Sequence, residues 1–209
     1  MDRRTFSLRA AALACAAGLP ALAGAQGFTP TEGQDFRTLG RPVGVPANGK
    51  IDVIEFFWYG CPHCYVFEPS LEAWAQRLPQ DVGFRRMPVA FDARKELHQR
   101  IFYTWDALGL VDKMHKKTFV RFHVQKKPID SLEDMLAFAQ ENELDTAKVR
   151  AAWDSFSVQS RCHEAKRLAD AYDISETPAM AVAGRFVARA KPDALITTDA
   201  LVNQVRYHH

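Results

Sequence analysis

An almost continuous apolar run leads directly into a pair of cysteines, and this arrangement constrains the fold more than any other feature of the chain. Residues Ile51 to Tyr59 are rich in β-branched and aromatic side chains, which is typical of a strand that helices cover on both faces. Gly60 interrupts the run, and Pro62 is suited to the first turn of a helix. The motif Cys61-Pro62-His63-Cys64 is therefore predicted to lie where a central strand passes into a helix.

Three other roles compete with a redox role for the two cysteines. A structural zinc site needs four ligands, and the chain offers Cys162-His163 as its only other cluster, so zinc is disfavoured but stays open. A c-type haem needs a histidine directly after the second cysteine, where this chain has Tyr65. A purely structural disulfide across so short a loop would add little stability, because it removes little loop-closure entropy.

The redox interpretation explains why the motif stands at a helix start. Unpaired N–H groups and the positive end of the helix dipole stabilise a thiolate at Cys61, and His63 adds to this if it is charged or donates a hydrogen bond. A stabilised thiolate makes the disulfide form a stronger oxidant and makes Cys61 a better leaving group. We predict Cys61 as the attacked and attacking sulfur, with the more buried Cys64 as its resolving partner.

The first 25 residues have the pattern of an export signal. A positively charged start is followed by the short apolar run Ala10 to Leu19 and by a cleavage site at Ala23-Gly24-Ala25. The sequence Arg3-Arg4-Thr5-Phe6 leaves open whether the Sec or the twin-arginine route is used. Either route predicts a periplasmic protein, and no other run is apolar enough for a membrane-spanning helix.

Removing this segment changes the charge and the cysteine count. It contains three of the 27 basic and one of the 25 acidic residues, which leaves 24 of each. The balanced charge predicts no affinity for nucleic acid or for anionic membranes. Three cysteines are too few for a disulfide-stapled scaffold, and Cys162 lies on an apolar helical face that predicts a buried, inert thiol.

The rest of the chain alternates between mixed and helical patterns. A second strand is predicted at Val82 to Met87, helices from Asp92 to about Phe156, then a helix, two short strands around Gly184-Arg185 and a final helix from about Thr198. We predict an α/β protein with a thioredoxin-like fold and an inserted all-helical domain. The boundaries are a signal peptide at 1–25, a thioredoxin-like domain at 26–91 and 157–209, and a helical insertion at 92–156.

The motif and two later segments resemble a known family. The run from Glu55 to Cys64 resembles the active-site segment of the DsbA family, the periplasmic thiol:disulfide oxidases of the thioredoxin superfamily. Ala151 to Phe156 and Thr177 to Met180 resemble its downstream landmarks at matching distances. The resemblance covers nearly the whole chain after the signal segment.

This resemblance implies an activity and its partners. The protein is expected to donate the Cys61–Cys64 disulfide to newly exported proteins, with no cofactor or metal other than that disulfide. Reduced exported proteins are the expected substrates, and a DsbB-like, quinone-linked membrane oxidase is expected to restore the disulfide. The protein is expected to act as a monomer.

The resemblance also assigns roles to residues around the motif. Pro62 and His63 are expected to tune the thiolate together with Glu55, which is predicted to be a buried acid beneath the cysteines. A solvated glutamate that faces the edge of the sheet is the alternative for Glu55. Thr177 and Pro178 are expected to form a cis-proline loop that faces Cys61 and binds an extended substrate. The chain departs from the best-known member at three positions. Arg86 stands where the lysine that accompanies the acid at Glu55 is expected, Thr177 replaces a valine, and Cys162 is an additional cysteine.

Two alternative functions are open at this point. A reductase or isomerase on the same scaffold would be kept reduced by a different membrane partner. A peptide-binding chaperone would use an apolar groove and would keep its activity if Cys61 were replaced by serine.

Overall fold

The computed structural model describes residues 28–46 and 48–207, in which five strands form one mixed sheet. The strands are β1 (Phe36–Thr38), β2 (Ile51–Phe57), β3 (Val82–Pro88), β4 (Ala179–Val182) and β5 (Phe186–Ala188). Their order in the sheet is β1-β5-β4-β2-β3. Strand β2 is parallel to β3 and antiparallel to β4, so both of its edges are hydrogen-bonded. The strand that leads to the cysteines is therefore central, as predicted.

Seven helices accompany the sheet in the described part of the chain. They are α1 (Pro62–Ala75), α2 (Ala93–Ala107), α3 (Val111–His123), α4 (Leu132–Glu141), α5 (Thr146–Trp153), α6 (Phe156–Ala171) and α7 (Ala194–Tyr207). Helices α2 to α5 follow one another between β3 and α6 without an intervening strand. The predicted fold class, an α/β sheet with an inserted helical unit, is confirmed.

The alternation of β2 side chains divides the core into two layers. Ile54 and Phe56 belong to a cluster with residues of α2, α3 and α6, whereas Val53 packs with residues of α1 and α7. Because side chains alternate along a strand, Glu55 is directed to the same side as Val53. An acidic side chain is thereby placed under α1, the helix that carries Cys64.

Several element boundaries differ from the prediction. Strand β1 was not predicted, because three residues carry little periodic signal and their pairing with β5 is a long-range contact. Helix α7 begins at Ala194 rather than near Thr198, since the Thr198 hydroxyl donates to the Ala194 carbonyl at 2.7 Å and is satisfied inside the helix. The apolar spacing of Leu71, Trp74 and Leu78 predicts that helix α1 reaches Leu78, but the helix runs through Pro69 and ends at Ala75.

The signal segment and the domain boundaries stay predictions. The signal segment at 1–25 lies outside the described residues, and the division of the chain at residues 92 and 156 stays a prediction. Within residues 28–46 and 48–207, none of the helices combines the length and the apolar character that crossing a bilayer requires.

Candidate active site

Cys61 is the N-cap residue of α1. Its backbone is extended, with φ −82° and ψ 116°, and its sulfur accepts a hydrogen bond from the Cys64 backbone N–H at 3.4 Å. Pro62 occupies the first helical turn, where its missing N–H costs nothing. The strand-to-helix transition thus places the Cys61 sulfur at the unpaired N–H groups of the helix start, as the sequence predicted.

The surroundings of Cys61 favour its thiolate. A hydrogen bond from the Cys64 side chain, together with contributions from Thr177 and from the backbone N–H groups of Cys64 and His63, outweighs partial burial and lowers the pKa of Cys61 to about 5. A thiol with this pKa is largely ionised at neutral pH and is a reactive nucleophile.

Cys64 has the opposite character. It is fully buried, and burial followed by its hydrogen bond to Cys61 raises the pKa of its thiol far above the ordinary range. The two thiols of one short motif therefore differ in acidity, because Cys61 accepts hydrogen bonds at the helix start whereas burial disfavours the Cys64 thiolate. The expectation that Cys64 is the more buried of the two is confirmed.

The loop before β4 closes over Cys61. The Thr177–Pro178 peptide bond is cis, and the Cys61 sulfur lies 3.4 Å from the Thr177 carbonyl oxygen, to which it donates when it is protonated. Pro178 is buried and Thr177 is half-buried. Residues far apart in sequence thus meet at the sulfur, in the arrangement that the resemblance implied.

The His63 side chain is exposed on the first turn of α1. The backbone N–H of His63, rather than its imidazole, lowers the pKa of Cys61. A role of the imidazole in tuning the thiolate remains a prediction.

Glu55 is a fully buried acid beneath the two cysteines. Burial, followed by repulsion from Glu68, raises the pKa of Glu55 to about 8, against attraction by Arg86. The Cys61 thiolate also raises it, which places the carboxyl within electrostatic reach of the reactive sulfur. Burial thus favours the neutral, protonated form of Glu55, and the alternative of a solvated, edge-facing glutamate is wrong.

Arg86 lies between Glu55 and a second buried acid, Glu68. Its Nη2 is 2.5 Å from Glu68 Oε1, whereas its Nε is 3.5 Å from Glu55 Oε2. Burial opposes the ionisation of Glu68, but its contacts with His115 and Arg86 outweigh this and lower its pKa. The guanidinium thus pairs with Glu68 more closely than with Glu55, the acid that the family resemblance associates with this position.

His115 connects this pair to the helical insertion. Its Nε2 is 3.4 Å from Glu68 Oε2, and its Nδ1 is 2.9 Å from the Tyr59 hydroxyl. Glu55, Arg86, Glu68, His115 and Tyr59 thus form one continuous group under the active site, which we call the buried charge cluster.

Two further histidines of the insertion hold the residues that flank the cysteines. The Trp58 indole N–H donates to His98 Nδ1 at 2.7 Å, and the two rings are stacked. His123 Nε2 is 2.8 Å from the Tyr59 carbonyl oxygen, and its ring stacks on Tyr65 at 4.9 Å. Each of these contacts joins the segment around the motif to a helix far along the chain.

Sequence reasoning missed Glu68 and all three histidines. A signal was present for two of them: Glu68 is four residues after Cys64 on the buried face of α1, and His115 precedes Phe119 and Phe122 at helical spacing. The signal was weak, because a histidine on an apolar face is usually an ordinary core residue. Their grouping depends on helix packing that no local pattern reveals.

Cys162 is half-buried rather than buried, which corrects one expectation. It lies in a groove between α2 and α6, beside Leu97 and Trp153, where the two helices do not cover it fully. Burial raises the pKa of its thiol to about 11, so the expectation of an inert thiol agrees with its surroundings.

Alkylation of the reduced protein should distinguish the two sulfurs of the motif. At pH 6 a thiol with a pKa of about 5 is roughly nine-tenths ionised, so we expect Cys61 to react at least about a hundredfold faster than Cys64. Mass spectrometry of peptides after brief treatment with iodoacetamide measures the two rates, and Cys162 serves as an internal slow control. Earlier labelling of Cys64 would reverse the assigned roles.

The zinc alternative has no further ligands at this site. Within the ranges that the structure describes, no three side chains of the His, Cys, Asp and Glu types come together as a potential metal site. The partners of the Cys61 sulfur are instead the Cys64 N–H and the Thr177 carbonyl.

Comparison with known proteins identifies the family. The sequence model of the DSBA-like thioredoxin domain matches residues 52–197. A relative from Azotobacter vinelandii, named thiol:disulfide interchange protein DsbA, is 40% identical over 179 residues, which cover 83% of this chain and 84% of the relative. The protein of the same name from Burkholderia cepacia is 36% identical, with 98% of each chain covered. The crystal structure of Pseudomonas aeruginosa DsbA superposes with a TM-score of 0.81 at 33% identity, covering 86% of this chain and 96% of the other. The reactive cysteine pair, the cis-proline loop and these relatives agree, and the chain belongs to the DsbA family.

Proposed function

We propose that the protein is a thiol:disulfide oxidase that donates the Cys61–Cys64 disulfide to newly exported proteins. The observation that carries this direction of reaction is the low pKa of Cys61 at the start of α1, beside a buried and unreactive Cys64. Stabilising the thiolate stabilises the reduced pair, so the disulfide form gives up its bond readily. Membership of the DsbA family supports disulfide exchange as the activity.

The proposed cycle has two exchange steps. A substrate thiolate attacks the Cys61 sulfur, which forms a mixed disulfide and breaks the Cys61–Cys64 bond. The electron pair of that bond leaves on Cys64, whose buried site favours protonation. The second substrate thiolate then attacks the substrate sulfur of the mixed disulfide and expels the Cys61 thiolate. Two electrons pass from the substrate to the cysteine pair, and the substrate gains one disulfide.

Glu55 is suited to supply the proton that Cys64 takes up. Its carboxyl binds a proton below about pH 8. If Glu55 were ionised instead, its negative charge would repel the Cys64 thiolate. A neutral acid beneath the sulfurs stabilises the reduced state better than a carboxylate does. Pro62 contributes by starting the helix at Cys61, and His63 is proposed to tune the thiolate further.

Thr177 and Pro178 are proposed to bind the substrate. Their backbone passes directly beside the Cys61 sulfur, where an extended chain that pairs with it would bring its own sulfur into line. Such pairing uses main-chain hydrogen bonds and is therefore tolerant of substrate sequence.

The partners and the location follow from the same proposal. Residues 1–25 would direct export to the periplasm, and a DsbB-like, quinone-linked membrane oxidase would restore the disulfide after each turnover. We propose that the protein acts as a monomer, with a thioredoxin-like domain at 26–91 and 157–209 and a helical domain at 92–156.

The reduction potential of the Cys61–Cys64 pair tests the proposed direction. Equilibration of the mature protein in glutathione buffers should give a value in the region of about −120 mV, which is the value known for DsbA itself. The physical reason is the stabilised Cys61 thiolate, which lowers the free energy of the reduced form. A value near about −270 mV, as for thioredoxin, would instead make the protein a reductant and would overturn the oxidase assignment.

A further inference from the structure

We infer that His115, from the helical insertion, is a positioning residue that fixes the negative charge of the buried charge cluster on Glu68 and so leaves the proton on Glu55, beneath the cysteines. The inference rests on the proposed function only in giving that proton a use in the reduction of the Cys61–Cys64 disulfide. The location of the proton is a separate property and is tested separately.

The cluster holds two buried acids and one strong cation. Glu55 and Glu68 are 0% and 6% exposed, and Arg86 contacts both of them. One guanidinium compensates one carboxylate, and a second buried carboxylate without its own partner is costly. One of the two acids must therefore be neutral, and the remaining contacts decide which one.

These contacts favour ionisation of Glu68. Glu68 has Arg86 at 2.5 Å and His115 at 3.4 Å, whereas the one charged partner of Glu55 among residues 28–46 and 48–207 is Arg86, at 3.5 Å. Among the side chains that the structure describes, seven buried polar atoms lack a hydrogen-bond partner, and five of them belong to Glu55, Glu68, Arg86 and His115. Charge–charge interactions thus hold the cluster more than hydrogen bonds do. The electrostatic energy of the cluster therefore depends on whether Glu55 or Glu68 carries the proton.

The orientation of His115 places its Nε2 3.4 Å from Glu68 Oε2, where an N–H attracts the carboxylate although no regular hydrogen bond is formed. An ionised carboxylate only accepts hydrogen bonds, so the imidazole proton is assigned to Nε2, and Nδ1 accepts from the Tyr59 hydroxyl. The rings of Phe57, Phe102 and Phe119 surround the imidazole, with centroids 5.1–5.8 Å away, and restrict its rotation. Burial lowers the pKa of His115, which keeps the ring neutral in this orientation.

The charged groups around both ends of the cluster are few. His115 faces Glu68 and Glu72 of α1, Arg86 of β3, and the Tyr59 hydroxyl. Glu55 faces Glu68 and Arg86 together with the two cysteines. Of these groups, Glu68 is the one that couples His115 to Glu55.

Two substitutions of His115 distinguish the contact of Nδ1 with Tyr59 from the contact of Nε2 with Glu68. In His115→Asn the shorter amide reaches the position of Nδ1 and keeps the contact with Tyr59, but it no longer reaches Glu68. In His115→Gln the longer amide places an N–H near the position of Nε2 and keeps the contact with Glu68. The carboxyl carbons of Glu55 and Glu68 are followed by NMR against pH in the reduced, glutamate-labelled protein, with assignments from Glu55→Gln and Glu68→Gln.

We expect His115→Asn to lower the pKa of Glu55 by about one unit, which is about tenfold weaker proton binding, and to raise that of Glu68. His115→Gln should remain within about 0.3 units of the unmodified protein, and so should Tyr59→Phe, which removes only the hydroxyl. Equal shifts in His115→Asn and His115→Gln would reduce His115 to a packing residue, and an unchanged Glu55 in His115→Asn would overturn the inference.

A second variant covers the case in which His115→Asn does not fold. Glu68→Gln removes the acid that His115 holds and frees Arg86 for Glu55, so the pKa of Glu55 must fall in this variant as well. If Glu55 titrates unchanged in Glu68→Gln, the inference is wrong. The reduction potential of the unmodified protein decides the proposed function independently of either result.

Discussion

Replacing Cys61 with serine is expected to abolish disulfide exchange, whereas replacing Cys64 with serine should trap the protein in mixed disulfides with its substrates. Serine cannot form the first mixed disulfide, so Cys61→Ser should oxidise a reduced test protein no faster than the buffer does. In Cys64→Ser the Cys61 thiolate can attack a disulfide of an oxidised, scrambled test protein and displace one of its thiolates, but the variant lacks the thiol that would break the resulting mixed disulfide from within the protein. Ellman titration of a reduced test protein measures the first effect, and non-reducing gels measure the second.

Cys162 provides the matched control for these variants. It is a third cysteine in the same chain, half-buried in a groove between α2 and α6 and outside the active site. Cys162→Ser should retain full activity and form no mixed disulfides. Activity on substrate proteins that survives in Cys61→Ser without disulfide exchange would instead favour the peptide-binding chaperone, and exchange activity lost in Cys162→Ser would indicate a second redox centre.

Replacing Glu55 with glutamine is expected to stabilise the reduced protein by about 3 kcal/mol at pH 7 and by very little at pH 4. Folding raises the pKa of Glu55 from an ordinary value of 4.5 to about 8, chiefly by burial. The folded protein therefore binds this proton more tightly than the unfolded chain does. Its contribution to stability is complete below about pH 4.5 and is lost as the pH rises to about 8, a total of about 5 kcal/mol.

Glutamine preserves the shape of the side chain but does not ionise. The variant should therefore not lose stability as the pH rises from about 4.5 to about 8. Arg86 keeps Glu68 as its partner in the variant, at 2.5 Å in the unmodified protein. Urea unfolding at pH 4, 7 and 9, with both proteins fully reduced, measures the difference. Glu72→Gln changes an exposed glutamate on the same helix and should alter stability by less than about 0.5 kcal/mol at each pH. A stability difference between Glu55→Gln and the unmodified protein that does not depend on pH would show that Glu55 is not protonated when buried.

The fold was predictable where the chain carries a strong local period. The apolar run before the motif indicated a central strand, and β2 is indeed paired on both edges. Helical periodicity located α2 to α5 between β3 and α6. The three-residue β1 was missed, because its existence depends on pairing with β5 at the other end of the chain.

The reactive pair was predictable for a similar reason. Proline after Cys61 and a helical pattern beyond it place the sulfur at a helix start, where N–H groups are unpaired whatever the rest of the fold does. The relative depth of Cys61 and Cys64 follows from their spacing of three residues on that helix. The participation of Thr177 was available only through resemblance to a family, since nothing in the local sequence brings residue 177 to residue 61.

The sequence by itself therefore determined the central strand, the helix start and the chemical difference between the two cysteines, because each depends on neighbours along the chain. Only the tertiary structure decided how the charges beneath them are shared. Glu55, Glu68, Arg86 and His115 come from β2, α1, β3 and α3, and burial together with separations of 2.5 to 3.5 Å determines which acid is ionised. Electrostatic energies in a low-dielectric interior depend on distances through space, and a linear pattern of residues does not contain those distances.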